Sequence, residues 1–261
     1  MDMAYSCWRH PHKSASCSNR LLGTVKFKMH CMKKIFRWPL VITLLVLLTQ
    51  ACKKDYYVDG GKADPHYNGT IYDYLSEKKL YFDTIKQIVD LAGLKDMMTS
   101  DTITFFAPTD EMIRVCMNDL NGDRYATMKD SVKISDIGAE VWRKFLGMYI
   151  LKGKRTAGTF PRVSPDNINA FPGINYIMLD GYILNIGLDY TSYNGVEGVG
   201  PRILMVTDVT FDPTNFRNNP RVKVVSSDIQ PKNGVVHALS INHSFGFRRG
   251  EFTRIASDYL K

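Results

Sequence analysis

The chain of 261 residues is 44% hydrophobic and 23% charged, so it can bury a core in one large domain or two small ones. Its formal net charge of +8 is concentrated before Cys52, where eight Lys and Arg residues stand beside a single acidic residue. The remaining 26 basic and 25 acidic residues nearly cancel, so the folded part gives no support for a nucleic-acid partner.

Residues 32–51 have the composition of a bacterial signal peptide. They open with three basic residues, Lys33, Lys34 and Arg37. The apolar run at 38–48 is shorter than the stretch of about 20 residues that spans a membrane. Small Ala51 then precedes Cys52, an arrangement that resembles a lipoprotein signal in which the cysteine is lipidated. The alternative is an ordinary signal peptide with a coincidental cysteine.

The segments on either side of this signal have separate explanations. Residues 1–31 match no part of a signal peptide, and we expect them to be an upstream extension from a misassigned start, with Met32 the natural start. Residues 52–68 are polar and aperiodic, as in a flexible tether. We therefore expect a protein that an N-terminal lipid anchors in the cell envelope, in the outer membrane and exposed at the cell surface.

The folded part, which we place at 69–247, opens with helical spacing. Within 70–98 a set of apolar residues recurs at helical intervals, and Gly93 is placed to end that helix. The set is Phe82, Ile85, Ile88, Val89 and Ala92.

A strand and two further helices are predicted next. Residues 102–108 form a short β-rich run that a proline stops. Thr109 can cap the helix that follows, and Asp110 and Glu111 suit its first turn. Another helix is predicted at 139–151.

Beyond residue 175 the pattern changes to strands. Residues 175–187 predict a hairpin around the turn dipeptide Asp180-Gly181. Further strands are predicted at 202–211, 221–229 and 234–240. Helices with one strand, followed by a run of antiparallel strands, indicate the α+β class. We predict a C-terminal tail at residues 248–261.

Two separated segments resemble signatures of the fasciclin-like domain family. Residues 102–113, TITFFAPTDEMI, look like its strand-turn-helix signature, and residues 224–240, VVSSDIQPKNGVVHALS, look like its C-terminal signature. The signature positions are Phe106, Ala107, Pro108, Thr109, Asn233, Gly234 and His237. The resemblance implies a β-sandwich or wedge packed with several N-terminal helices, with inserted loops around 118–138 and 187–221.

The resemblance also implies a function. It implies a non-catalytic surface module for adhesion, with an extracellular protein or glycan as partner and no cofactor. In some members an Asp-Ile pair contributes to adhesion, which makes Asp228 and Ile229 candidates. A Tyr-His pair common in the family is replaced by Met148 and Tyr149, so no metal or acid/base role is expected for that histidine. The alternative is an accessory lipoprotein of an outer-membrane glycan-uptake complex, partnered by an outer-membrane protein.

The segment SDIQPKNGVVHAL, 227–239, contains an aspartate and a histidine around a turn. Pro231 and the pair Asn233-Gly234 predict a turn with positive φ, where Asp228 can accept backbone N–H groups. His237 is therefore expected to be a hydrogen-bonded structural histidine, with a catalytic base as the alternative.

Catalytic and metal sites are not predicted. The mature part has three histidines, no HExxH, no paired cysteines and no GxSxG. Glycines at 195–200 lack the dinucleotide-binding spacing. Cys116 lies in an apolar helical run and is expected to be a buried thiol.

The region 187–221 is the predicted binding surface. It combines polar side chains with aromatic ones, as sugar- and peptide-binding surfaces do. The aromatic residues are Tyr190, Tyr193, Phe211 and Phe216. The alternative is a long insertion whose aromatic rings pin it to the core.

Overall fold

The computed structural model describes residues 64–196, 198–213, 216 and 218–260. The predicted extension, the signal peptide, Cys52 and most of the predicted tether lie outside the described residues. Within those described ranges, no helix is both long and apolar enough to cross a membrane.

The described residues form six α-helices and eight β-strands, which confirms the α+β class. The helices are α1 Ile71–Glu77, α2 Lys79–Leu91, α3 Lys95–Ser100, α4 Asp110–Ala126, α5 Ala139–Gly147 and α6 Glu251–Tyr259. The strands are β1 Ile103–Ala107, β2 Ile150–Lys152, β3 Arg162–Val163, β4 Ile174–Ile177, β5 Ile183–Tyr190, β6 Arg202–Asp208, β7 Arg221–Ile229 and β8 Gly234–Leu239.

The first two helices follow from local sequence. Thr70 and Asp73 form a capping box at the start of α1, in which each side chain accepts a hydrogen bond from the other residue's backbone N–H. The apolar residues predicted to line α2 are buried. Gly93 follows α2 with φ +63°, a conformation that glycine adopts without a steric penalty, so this helix end is as predicted.

The strands join in the order β2-β1-β8-β7-β6-β5-β3, and β4 also pairs with β5. The run of antiparallel strands predicted beyond residue 175 is confirmed, because each strand from β4 to β8 pairs antiparallel with the next. Two parallel pairs, β1 with β8 and β3 with β5, join the earlier strands to that run. The hairpin predicted around Gly181 is confirmed, since β4 and β5 pair antiparallel across it. β1 and β8 are buried along their whole length.

The predicted end of one helix and the two predicted loop regions need correction. The helix predicted at 139–151 ends at Gly147, and residues 150–152 form β2 beside β1. The regions expected as inserted loops hold regular structure, because α4 continues to Ala126 and β6 occupies Arg202–Asp208.

The predicted C-terminal tail contains helix α6, which packs against α5. The ring of Phe252 lies 5.0 Å from that of Trp142 and 5.1 Å from that of Phe145, measured between centroids. Phe252 and Ala256 are buried. Residues 251–259 therefore form a helix that packs its buried face on the core, and not a tail.

The chain just before α1 is joined to the end of β7. His66 forms an isolated parallel bridge with Gln230. Gln230 donates its N–H to the carbonyl of Pro65 at 2.7 Å and accepts from the N–H of Tyr67 at 3.0 Å. Residues 65–67, predicted as part of the tether, thus extend the sheet.

Candidate functional site

The turn between β7 and β8 differs from its prediction. The N–H of Gly234 donates to the carbonyl of Pro231 at 3.2 Å, which closes the turn. Neither Asn233 nor Gly234 is among the residues with positive φ, so the predicted backbone conformation of this pair is wrong. The pair is needed for contacts across the molecule instead.

Asn233 holds three elements together through its side-chain amide. Its Oδ1 accepts from the N–H of Ile71 at the start of α1, at 2.8 Å. Its Nδ2 donates to the carbonyls of Met98 and Asp101 at 3.0 and 3.1 Å, where α3 ends. The amide thus satisfies groups that helix ends leave unpaired.

Gly234 is required because another backbone passes very close to it. A Cβ atom placed on Gly234 would lie 2.0 Å from the carbonyl oxygen of Ile103 and 3.0 Å from Cδ1 of Ile71. Only glycine fits a contact of this kind, so the signature glycine allows β8 to lie against β1.

His237 is a structural histidine, as expected. It is fully buried, and its ring stacks on Phe106 at 5.3 Å between centroids. Its Nδ1 accepts from the N–H of Asp228 at 3.3 Å, and its Nε2–H donates to the carbonyl of Arg155 at 3.1 Å. Burial lowers the pKa of His237, so the ring is neutral and both nitrogens are used for binding within the fold.

Asp228 contacts a different part of the chain from the one predicted. Its Oδ1 accepts from the N–H of Ala157 at 2.6 Å, not from the adjacent turn. Its φ is +63°, at an irregular position in the pairing of β7 with β8. Asp228 and Ile229 are both half-buried, and Ile229 packs against the core. Their adhesion role stays a prediction.

The strand-turn-helix signature is buried around Thr109. Phe106, Ala107 and Pro108 are buried, and Thr109 precedes α4. The prediction that the Thr109 side chain caps α4 is wrong, because its hydroxyl oxygen is buried without any hydrogen-bond partner. The carboxylate of Asp110 instead accepts from the N–H of Ile85 in α2, at 2.9 Å.

Tyr149 forms a buried pair with a histidine that is distant in sequence. Its hydroxyl accepts from the N–H of Gly246 at 2.8 Å and donates to Nε2 of His243 at 3.0 Å. Burial lowers the pKa of His243 to about 4 and raises the pKa of Tyr149. Both groups are therefore neutral near pH 7 and ill-suited to exchange protons there. Sequence reasoning missed this pair because the two residues lie 94 positions apart.

The predicted binding region contains a stack of aromatic and guanidinium groups at the base of the β5–β6 hairpin. The Arg162 guanidinium lies 3.6 Å from the ring centroid of Phe171 and 5.0 Å from that of Tyr190. The Arg202 guanidinium lies 4.6 Å from the centroid of Tyr190. Tyr190 thus holds two cations by cation–π contacts. Neither arginine was identified from the sequence. We call Arg162, Tyr190 and Arg202 the Arg–Tyr–Arg cluster.

The tip of the same hairpin exposes Tyr193, whose side chain is 62% accessible. Asn194 and Gly195 have φ of +50° and +78°, and Tyr193 pairs with Val196 across them. This is the tight turn that an Asn-Gly pair favours. Phe216, also predicted as a binding residue, is buried with Val163 and other core residues. Its ring therefore packs this part of the chain against the core. For Phe216 the alternative interpretation is therefore correct.

An apolar groove lies elsewhere, between α2, α4 and the end of β8. Two cavities of about 770 and 510 Å³ share Tyr81, Thr109 and Ile241 as lining residues. Four large apolar side chains line them and are exposed: Leu80, Tyr81, Val225 and Ile241. We call this surface the α2–β8 groove. The unpaired hydroxyl of Thr109 belongs to its wall.

The described residues provide little for catalysis. Within them, no group of three or more His, Cys, Asp or Glu side chains could hold a metal ion. Cys116 is buried, as predicted, and burial raises its pKa to about 12, which keeps the thiol protonated.

Comparisons with known proteins found similarity only among solved structures. No family model matches the chain, and no curated protein matches it. Among solved structures, the chain is similar to a FAS1 domain pair from the insect cell adhesion molecule fasciclin I, with 15% sequence identity and a TM-score of 0.35. The similarity covers 69% of this chain and 46% of that chain, so this chain spans about half the length of the structure it matches. That structure bears the name of the family that residues 102–113 and 224–240 resemble.

Proposed function

We propose that the protein is a lipid-anchored, non-catalytic binding module of the cell envelope, whose ligand is an extracellular glycan or protein. The Arg–Tyr–Arg cluster is the observation that supports this function most directly. No ion pair joins either arginine to a carboxylate among the described residues. Arginine and tyrosine side chains are enriched in protein binding surfaces, and the two rings here, Phe171 and Tyr190, are half-buried.

A binding screen tests this function. The full chain, purified in detergent, is presented to a panel of glycans and matrix proteins, with the same protein heat-unfolded as the control. We expect saturable binding that the unfolded control lacks and that Tyr190→Ala weakens. A blank across the whole panel would contradict the proposed function.

The anchor is a separate part of the proposal and has its own test. The support is the basic and apolar signal before Cys52. Cells grown with a tagged fatty acid should label the wild-type protein and the Cys116→Ala variant, and should not label Cys52→Ala. Equal labelling of all three proteins would rule out Cys52 as the lipid site.

The second candidate function is an accessory subunit of an outer-membrane glycan-uptake complex. The α2–β8 groove favours it, because exposed apolar side chains that cluster on one surface commonly mark protein interfaces. The occupant would be an apolar segment of the membrane partner that offers a hydrogen bond to the hydroxyl of Thr109. The rim carries little unbalanced charge, since Arg114 is paired with Glu111 and Lys78 with Glu77.

A pull-down tests this second candidate. Co-purification of an outer-membrane transporter should be lost in the double variant Leu80→Asp and Ile241→Asp. It should survive in the double variant Ile174→Asp and Ile177→Asp, which places the same two charges on exposed isoleucines of β4, outside the groove. Loss in neither variant, or in both, would contradict a role for the groove.

A further inference from the structure

We propose that the Arg–Tyr–Arg cluster binds the anionic groups of an acidic polysaccharide, with Arg162 and Arg202 as the residues that distinguish it from a neutral one. This inference rests on the proposed binding function and names the ligand class for the same site.

Arg162 is a half-buried cation that forms no ion pair with any of the residues that the structure describes. It lies in β3 opposite Leu188, between the rings of Phe171 and Tyr190. Its Nε is buried and has no hydrogen-bond partner. Taking a guanidinium group partly out of water is unfavourable unless an anion or acceptor compensates it. The cation–π contacts with the two rings offset part of that cost.

Nearby acids do not neutralise it. Asp189 interacts electrostatically with Arg162 and Asp166, but no ion pair within 4.0 Å joins Arg162 to an acid of the described chain. An anion supplied by a ligand would therefore meet an uncompensated positive group.

Arg202 places a second cation beside the same ring. It is the first residue of β6 and pairs in register with Tyr190 at the end of β5. Arg202 is exposed, so its guanidinium group is accessible to a ligand. Two planar guanidinium groups held by one ring suit carboxylate or sulfate groups, which accept paired hydrogen bonds from arginine.

Tyr193 favours a polysaccharide over an acidic peptide as the carrier of those anions. Its ring projects from the hairpin tip, three residues from Tyr190, where the turn at Asn194 and Gly195 fixes it. An exposed tyrosine offers an apolar face and a hydroxyl at low entropic cost, which matches the apolar face and hydroxyl edge of a sugar ring. A chain of acidic sugars can contact the tip and the base of one hairpin together.

The experiment compares two polymers with the same backbone. Polygalacturonate carries free carboxylates, and its fully methyl-esterified form has none. We expect the full chain in detergent to bind polygalacturonate at least tenfold more tightly than the ester. The variant Arg202→Gln should lose roughly tenfold in affinity, as expected when one charged hydrogen-bonding group is removed. Arg162→Gln should lose at least as much, provided that its thermal unfolding matches wild type.

The control is Arg254→Gln, which removes one positive charge from an exposed position on α6. Its affinity for polygalacturonate should equal that of wild type. An equal loss of affinity in Arg254→Gln and Arg202→Gln would overturn the inference, because it would show that the polymer is attracted only by the net charge of the protein. Equal binding of the two polymers would also overturn it and leave the binding function intact. Failure to bind any polymer or matrix protein would instead refute the proposed function itself.

Discussion

The backbone N–H of Asp228 donates a hydrogen bond to Nδ1 of His237, at 3.3 Å. That bond leaves the proton of the neutral ring on Nε2, where it donates to the carbonyl of Arg155. Each residue therefore constrains the other. The ring of His237 accepts the backbone N–H of Asp228, which has positive φ, and this hydrogen bond selects the tautomer of His237. A histidine used in this way has no lone pair left for a substrate.

The first prediction concerns pH. Burial lowers the pKa of both His237 and His243, to about 4 for His243, so below about pH 6.5 the unfolded chain binds protons that the folded chain does not. The free energy of unfolding therefore has its full value above about pH 6.5. It decreases as the pH falls towards the pKa values that the two histidines have in the folded chain. For His243 the loss reaches about 3 kcal/mol by pH 4.

Urea unfolding at pH 7.5, 6 and 5 measures this effect. The variant His243→Gln should show a weaker fall in the free energy of unfolding with pH than wild type. His66→Gln, at an exposed position near the start of the described chain, is the matched control and should follow wild type. Identical slopes in His243→Gln and wild type would count against the assignment.

The second prediction concerns the amide of Asn233. Asn233→Ala removes three hydrogen bonds and leaves the ends of α1 and α3 unsatisfied. We expect a loss of about 3 kcal/mol in the free energy of unfolding, at roughly 1 kcal/mol for each bond. Asn169→Ala, on an exposed loop, should change it by less than about 0.5 kcal/mol. A loss below 1 kcal/mol for Asn233→Ala would mean that solvent replaces these bonds.

The third prediction compares two glycines. Gly234→Ala places a Cβ 2.0 Å from the carbonyl oxygen of Ile103, so we expect destabilisation of at least about 3 kcal/mol. Gly122→Ala, inside α4, meets no atom within 4 Å and should stabilise the protein by up to about 1 kcal/mol. Thermal unfolding of both variants measures the contrast. Similar midpoints for the two would show that β1 and β8 can separate without loss.

The fourth prediction compares two threonines that each precede a helix. Thr109→Val removes a buried hydroxyl without a partner while keeping the side-chain shape, so we expect stabilisation of about 1 kcal/mol. Thr70→Val removes a true cap and should destabilise by about 1 kcal/mol. Opposite signs in urea unfolding are expected. Destabilisation of similar size in both would show that the Thr109 hydroxyl has a partner in solution.

Two of the four Asn-Gly pairs in the chain, Asn194-Gly195 and Asn233-Gly234, show how far local sequence predicts the fold. A positive-φ turn was predicted at Asn233-Gly234, yet the structure has such a turn at Asn194-Gly195 and not at Asn233-Gly234. The first pair lies in an exposed hairpin tip, where local preference decides. The second is constrained by the neighbouring Ile71 and Ile103, which no local pattern reveals.

Strands with clear boundaries were predictable, and distant pairings were not. The bounds of β7 match the prediction because apolar and β-branched residues fill it between turn signals. The parallel pairing of β1 with β8 joins residues more than 130 positions apart, so composition could not indicate it. For the candidate site, Tyr190 was predicted from its residue type, but its contact with Arg162 depends on the pairing of β3 with β5.

The bridge between His66 and Gln230 has a mechanical consequence for a module held by its N-terminus. A pull on the chain before Pro65 acts first on the two hydrogen bonds to Gln230, and through them on the strand that leads into β8. Helix α1 comes after this junction, so it is shielded from the load until those bonds break. If the protein is anchored at its N-terminus, as proposed, tension would therefore pass into the sheet at Gln230 before it reaches the helices.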